Sequence, residues 1–534
     1  MKSIQAVSGS TDRGAQSLFT SALGQAGLWV FVSSWRMAGC WRTSRFAPRA
    51  MIAREMPENA QCVADFHDGC TSRAILSSQM DAEGPVGWRN WRAAEKGSPP
   101  LHTAEFPLFS DSWLVGHAES GLGPYAFLNT IRGDQAPDRF PAAVLRAAWH
   151  LSPDDAIPPA SEWTTDVQFY HAGDFADELT ALLSLCLGMR AQAGGQTRLF
   201  GSYVTDPLGR PTAYAVKNVS PLPEPRQRGH SILPHTGGQR SLADICRLSP
   251  FPRYPGLAAD GASALVQSAR LYQEAIWIAE QRPEWSWILL VSAIERAAGR
   301  WHKVTVDPLE WLCELKPRLR TVFSEAARLD LLGVAAEELK DYIGAKKRLV
   351  SFVLEFLPRD PPPARPPDPF QVPWTRAFLE TALERIYKWR SKYLHLGVPF
   401  PAPMCEAPYR ERGWDSPAEK PIGLGMQVPG GTWLAKDTPL MLHVFEYVTR
   451  SALLEWWKWM TPGTKDLNAA TTAELASTVG IDPEAAERIV AYRELNGSFR
   501  LRADLRSVPE VERNLAELIC AKTTLLRGWP KAHE

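Results

Sequence analysis

The chain has 534 residues, 45% of them hydrophobic, with 59 Lys and Arg balanced by 59 Asp and Glu. That length fits about three or four domains, and the zero formal net charge excludes a global electrostatic drive toward nucleic acid. No apolar run reaches the ~20 residues that a bilayer span needs, so no membrane association is expected.

The eight cysteines are Cys40, Cys62, Cys70, Cys186, Cys246, Cys313, Cys405 and Cys520. They form no CxxC pair and no Cys/His cluster with zinc spacing, so neither a metal nor another cofactor is expected. Their scatter fits a reducing compartment and a cytoplasmic location.

Residues 1–102 read as a disordered leader or a mis-assigned start. Arg36 to Arg54 is Arg-rich without Asp or Glu, and Met51, Met56 and Met80 are later candidate starts. Ala22–Val32 is too short to span a bilayer and is broken by Gly24, Gln25 and Gly27.

Residues 103–238 read as a mixed α/β domain of unknown role. Strands are expected at Trp113–Glu119, Ala126–Ile131, Asp166–His171, Leu199–Val204 and Thr212–Val216. Leu179, Leu182, Leu183, Leu185, Leu187 and Met189 recur at helical spacing, which predicts a helix over Phe175–Arg190 ended by Gly194–Gly195. His230 and His235 flank a Pro-containing loop, with no carboxylate or cysteine nearby to complete a metal set, and read as exposed loop histidines.

Residues 262–460 read as an all-α bundle. Helices are expected over Ala262–Gln281, Glu284–Ala298 (with Gly299 as its stop), a segment within Leu329–Phe356, Trp374–Leu394 and Pro439–Met460. Pro358–Pro373 is too rich in proline for helix or central strand, and Pro401–Gly431 is a polar, glycine-rich excursion.

Near the end of the fourth helix stand Arg390, Ser391 and His395. Five residues apart, Arg390 and His395 lie about 140° apart on an ideal helix. They can share a cleft if the helix frays after Leu394, or if two copies pair this helix across a twofold axis. Imidazole can move a proton at a ribose 2′-hydroxyl, and guanidinium can hold the scissile phosphate, with no metal. The alternative is that both are helix-end cations complementing the macrodipole.

The segment Ala262–Ile294 resembles the first two helices of ApeA-like HEPN domains, particularly Ala269-Arg270-Leu271-Tyr272-Gln273-Glu274-Ala275 and the run Trp287 to Glu295. Arg390 to His395 matches that superfamily's RxxxxH motif. The resemblance covers about Ala262–Trp457. It implies a homodimeric HEPN-like bundle acting as a metal-independent endoribonuclease on RNA, as in many phage-defence or toxin systems. In that reading Arg390 holds phosphate and His395 is the acid/base. Many active members carry an amide directly after the arginine, where this chain has Ser391.

Residues 466–526 read as a small all-α tandem helix-hairpin-helix domain. Thr471 or Thr472 caps a helix, with Glu474 placed for a capping box. Val479-Gly480-Ile481-Asp482-Pro483 forms a hairpin in which Gly480 supplies the turn, Ile481 plugs the core and Pro483 opens the next helix. This series resembles the ComEA-type domain, which implies backbone-amide contacts to DNA phosphates without sequence readout. Asp482 departs from the family's glycine, and Pro509-Glu510-Val511-Glu512 stands where its second hairpin carries glycines. Arg488, Arg493, Arg500, Arg502 and Arg506 offer a local basic edge.

The whole chain therefore reads as multidomain α+β. The expected function is a HEPN-type ribonuclease with a nucleic-acid-binding tail, the alternative being a non-catalytic DNA-binding or adaptor protein whose bundle dimerises.

Overall fold

The computed structural model describes residues 84–115, 122–130, 141–152, 174–201, 207–212, 231–234, 242–244, 250–305, 307–326, 328–340, 343–423, 425–428, 431–461, 465–468, 470–497 and 502–512, with shorter pieces up to 524. The expectations for Asp166–His171, His230, His235 and everything before residue 84 lie outside these residues.

The fold begins inside the segment set aside as a leader. Helix α1 (Val86–Glu95) buries Trp88 and Trp91. The amide of Gly87 donates to the Glu178 carboxylate at 2.8 Å, and Asn90 bonds both Tyr125 and the Ala148 carbonyl. Two tryptophans one turn apart on a short polar helix carry this anchoring. They stand in a stretch with no longer apolar period, so pattern reading passes over them.

Strands follow: β1 (His102–Phe109), β2 (Trp113–Val115), β3 (Tyr125–Asn129), β4 (Ala143–Trp149), then β5 (Gln192–Ala193), β6 (Arg198–Gly201), β7 (Arg210–Pro211) and β8 (Leu242–Asp244). The main sheet runs β3-β4-β1-β6-β7, with β5 also pairing β1, while β2 and β8 form a separate parallel pair. Leu108 pairs with Ala143 and Thr103 with Ala148 across the central ladder. Pro107 sits within β1 because β6 ends at its level and β5 has only begun. The Pro107 carbonyl accepts from Gly194 there, and the absent N–H faces the gap. Gly194 is glycine because a Cβ would meet the Pro107 ring at 2.7 Å. It does not end the preceding helix, α2 (Phe175–Leu187), which stops at Gly188 in the left-handed conformation, φ 67°.

Helix α2 is buried on nearly every side, as its all-round leucine composition requires. It lies between the sheet and α3 (Ala259–Ile278). Helix α4 (Pro283–Thr305) runs straight through Gly299, where expectation had it stop. No atom lies near a Cβ built there, so glycine costs only its propensity of about 1 kcal/mol and does not break the helix.

A small satellite follows: α5 (Pro308–Leu315), α6 (Pro317–Glu325) and α7 (Leu329–Leu339), built around Leu312, Leu332 and Ala336. The layer resumes with α8 (Ala345–Phe356), α9 (Arg376–Leu396), the hairpin β9 (Gly425–Val428)–β10 (Gly431–Leu434) and α10 (Leu442–Met460). Among the described residues no helix is long and apolar enough to cross a membrane.

One hydrophobic core runs from the sheet through these helices. Phe251 contacts Trp91 and Phe127 on one side and Trp457 on the other. Buried Arg190 fastens the same junction: it donates to the Ile276 carbonyl at 2.7 Å and pairs with Asp111 at 2.8 Å and Glu280 at 3.0 Å. The residues read as an α/β domain and those read as a bundle therefore share one core. The tail has its own core, centred on Leu475, Val479, Ile489, Leu505 and Ile519.

Candidate nucleic-acid interface

Two places carry the sequence-predicted functional residues. The first is the end of α9. Thr375 caps the start of this helix, and Gly397, at φ 66°, ends it by donating to the Lys392 and Tyr393 carbonyls. The helix does not fray after Leu394 but continues to Leu396. The left-handed glycine closes the last turn instead of loosening it.

Within one chain, α9 keeps Arg390 and His395 on different sides. The Arg390 guanidinium donates to Glu295 of α4 at 2.7 Å, and the Tyr387 hydroxyl reaches the other Glu295 oxygen at 3.2 Å. Burial pushes the Glu295 carboxyl above its usual range, although Arg390 and the Tyr387 hydrogen bond oppose this. Burial and the neighbouring Glu295 charge push the Tyr387 phenol up to about 12. His395 is exposed, and Ser391 is half-buried. His395 shares its face with Arg385, Lys388 and Lys392, which recur at helical spacing. Sequence reading gave Glu295 and Tyr387 no role. Tyr387 stands three residues before Arg390, one turn away on the same face, and that spacing was the available signal.

The second place is the tail. The Thr471 hydroxyl accepts from the Glu474 amide while the Glu474 carboxylate accepts from the Thr471 amide, a reciprocal capping box. These bonds and the Lys465 ammonium hold Glu474 down at about 2. The short helix α11 (Thr472–Glu474) continues as a π turn over Leu475–Val479. Gly480 follows at φ 70° and ψ 38°, the left-handed conformation its position requires. Ile481 is buried, Asp482 is exposed, and Pro483 opens α12 (Pro483–Asn496). At the start of α12 Pro483 has no N–H and the Ala486 amide donates to the Asp482 carbonyl, which leaves the Glu484 and Ala485 amides without an intrahelical acceptor.

The two expected arginines serve other contacts. Arg493 donates to the Leu467 and Ala470 carbonyls at 2.9 and 3.0 Å, so it braces the module. Arg488 reaches Glu510 at 3.3 Å and Glu484 at 3.9 Å. Arg506 is exposed; Arg500 lies outside the described residues, as does the side chain of Arg502.

The second hairpin repeats the first in backbone but not in chemistry. Glu510 has φ 60°, and among the described residues it is alone among non-glycines in holding positive φ. It shares the positive φ of Gly480, and buried Val511 follows it as buried Ile481 follows Gly480, with Val508 buried two residues before it. Pro509 has no amide donor and Glu510 adds a carboxylate, so this turn is poorly suited to an anion.

Comparison with known proteins agrees for the tail: residues 465–521 match the model of the helix-hairpin-helix motif. No curated protein and no solved structure matches the chain. The motif supports a nucleic-acid-binding tail.

Proposed function

We propose that the tail binds the phosphate backbone of duplex DNA through the first hairpin alone, without reading sequence. The observation that carries this is the left-handed Gly480 followed at once by the amino end of α12. That arrangement leaves first-turn amides without an intrahelical acceptor, donors that a phosphate oxygen can take up. Arg506 adds an exposed cation to the same module. Asp482 and Glu484 flank the turn and keep the affinity modest.

The test is duplex binding by the full chain. Gly480→Glu places a carboxylate at the turn and abolishes binding. Gly480→Asn, which tolerates the left-handed conformation without added charge, retains most of it. Equal loss in both variants with an intact fold would remove the hairpin from the account.

A second reading assigns the helical layer a metal-independent ribonuclease activity of the HEPN type, with His395 as acid/base, Arg390 as phosphate holder and Ser391 beside them. It is favoured by one observation, the exposure of His395 on a cationic face of α9. Because Arg390 faces α4 in the same chain, this site is composite and needs a homodimer that brings the second copy's α9 alongside. His395→Ala then removes RNA cleavage while dimer and fold persist. A monomer that cleaves RNA, or a His395→Ala variant that still does, contradicts it.

A further inference from the structure

A groove of 780 Å³ lies along α9 on the side away from Glu295. Phe378 and Arg385 of α9 line one wall, Lys436 just after β10 another, and Phe370, Lys420 and Ile422 the floor and rim. Three cations and no carboxylate line it. Arg385, Lys420 and Lys436 make no ion pair with any described residue. In a chain with zero net charge, three uncompensated cations around one cleft make a local anion-attracting field.

Among the prolines and aliphatic residues of the lining stand two aromatic rings, Phe370 and Phe378. Phe370 packs on Trp414 with ring centroids 4.6 Å apart, which fixes its orientation, and half-buried Phe378 lines the same groove. Rings held next to cations are the elements that take up bases and phosphates of an unpaired strand. A duplex hides its base faces, so these rings would have nothing to stack on.

The groove has a direction. Beyond Ile422 the adjoining cleft carries Glu406 and Glu411, which repel phosphate. In the other direction Lys388 and Lys392 continue the cationic face. The Lys392 ammonium sits 4.4 Å from the Trp389 ring, which itself packs edge-on against Trp433. From Arg385 to His395 this face extends about 15 Å.

We propose that this groove binds a single-stranded polynucleotide. Arg385, Lys420 and Lys436 hold phosphates, Phe370 and Phe378 stack bases, and the strand leaves along Lys388 and Lys392 toward His395. The proposal does not rest on the tail hairpin, nor on whether His395 cleaves anything.

Fluorescence anisotropy with the full chain tests it, using labelled 16-nucleotide RNA and DNA single strands of mixed sequence and a 16-base-pair DNA duplex. The Arg385→Glu, Lys436→Glu double variant lowers single-strand affinity at least tenfold and leaves duplex binding in place. Its salt dependence becomes shallower by about 1.4 in log–log slope, as loss of two phosphate contacts requires. Phe378→Ala weakens single-strand binding with the slope unchanged. Gly480→Glu shows the opposite pattern, losing duplex and keeping single strand, so failure of the tail reading is seen separately. A larger loss for RNA than for DNA assigns part of the recognition to the 2′-hydroxyl. Unchanged single-strand affinity in the folded double variant overturns the proposal, as does equal loss for single strand and duplex.

Discussion

Arg390 and Glu295 meet at 2.7 Å between α9 and α4, on the side of α9 turned away from His395. The two residues of the RxxxxH motif therefore differ in what they do for the fold. Arg390→Ala leaves Glu295 half-buried without its cation and costs about 1–3 kcal/mol. His395→Ala, at an exposed position, stays within about 0.5 kcal/mol. Thermal denaturation of both variants checks this; equal stability of the two would mean the ion pair holds nothing.

Arg190 answers a different question, whether sheet and helices unfold together. Its guanidinium is fully buried and serves Asp111, Glu280 and the Ile276 carbonyl at once. Arg190→Met takes the cation from Asp111 and Glu280, leaving Glu280 only its Ser231, Ile232 and Leu233 donors, and costs about 3–5 kcal/mol. Far-ultraviolet and tryptophan signals then fall in a single shifted transition. Two separated transitions would show independently folding parts.

Burial raises the Glu178 carboxyl to about 7, against the lowering effect of the Gly87 and Val86 amides. A carboxyl raised in the folded state binds its proton more tightly there than in the unfolded chain. Its contribution is fully present below about 4.5 and is lost as pH rises to about 7. Glu178→Gln keeps an acceptor for Gly87 and removes that slope, which is at most about 3 kcal/mol across the window. Denaturant titrations at pH 4.5, 6 and 8 measure it; parallel pH profiles for the two proteins would contradict the assignment.

Glu510 holds a backbone conformation that suits glycine and places a carboxylate on the second hairpin. Glu510→Gly relieves about 1–2 kcal/mol of left-handed strain, less what its pairing with Arg488 contributes. It also removes the repulsion, so duplex affinity rises several-fold. Unaltered affinity would mean the second hairpin faces away from DNA in the complex.

The tail was the most legible part of the sequence. Thr471, Glu474, Gly480, Ile481 and Pro483 act locally, through caps, turn conformation and helix start, and local chemistry is what sequence displays. Apart from α1, the long helices of the larger core are legible in kind but not at their ends. Gly299 does not stop α4, and Gly194 marks close approach to Pro107 instead of a helix end. Strands β1 and β4 were passed over because Pro107 and an alanine-rich run mask the alternation that burial imposes. At the candidate sites, residue types were visible but partners were not. That Arg390 faces Glu295, that Arg493 braces two carbonyls, and that Arg385, Lys420 and Lys436 converge all depend on contacts between segments distant in sequence.

The central claim, that one hairpin holds a phosphate backbone, is tested most directly by titrating the full chain against two duplexes of unrelated sequence over a range of salt. A single phosphate-holding hairpin gives equal affinities, a log–log salt slope of about −2 from roughly two phosphate contacts, and loss of binding to both duplexes in Gly480→Glu. A marked preference for one sequence, or a Gly480→Glu protein that binds as tightly as the parent, would contradict it.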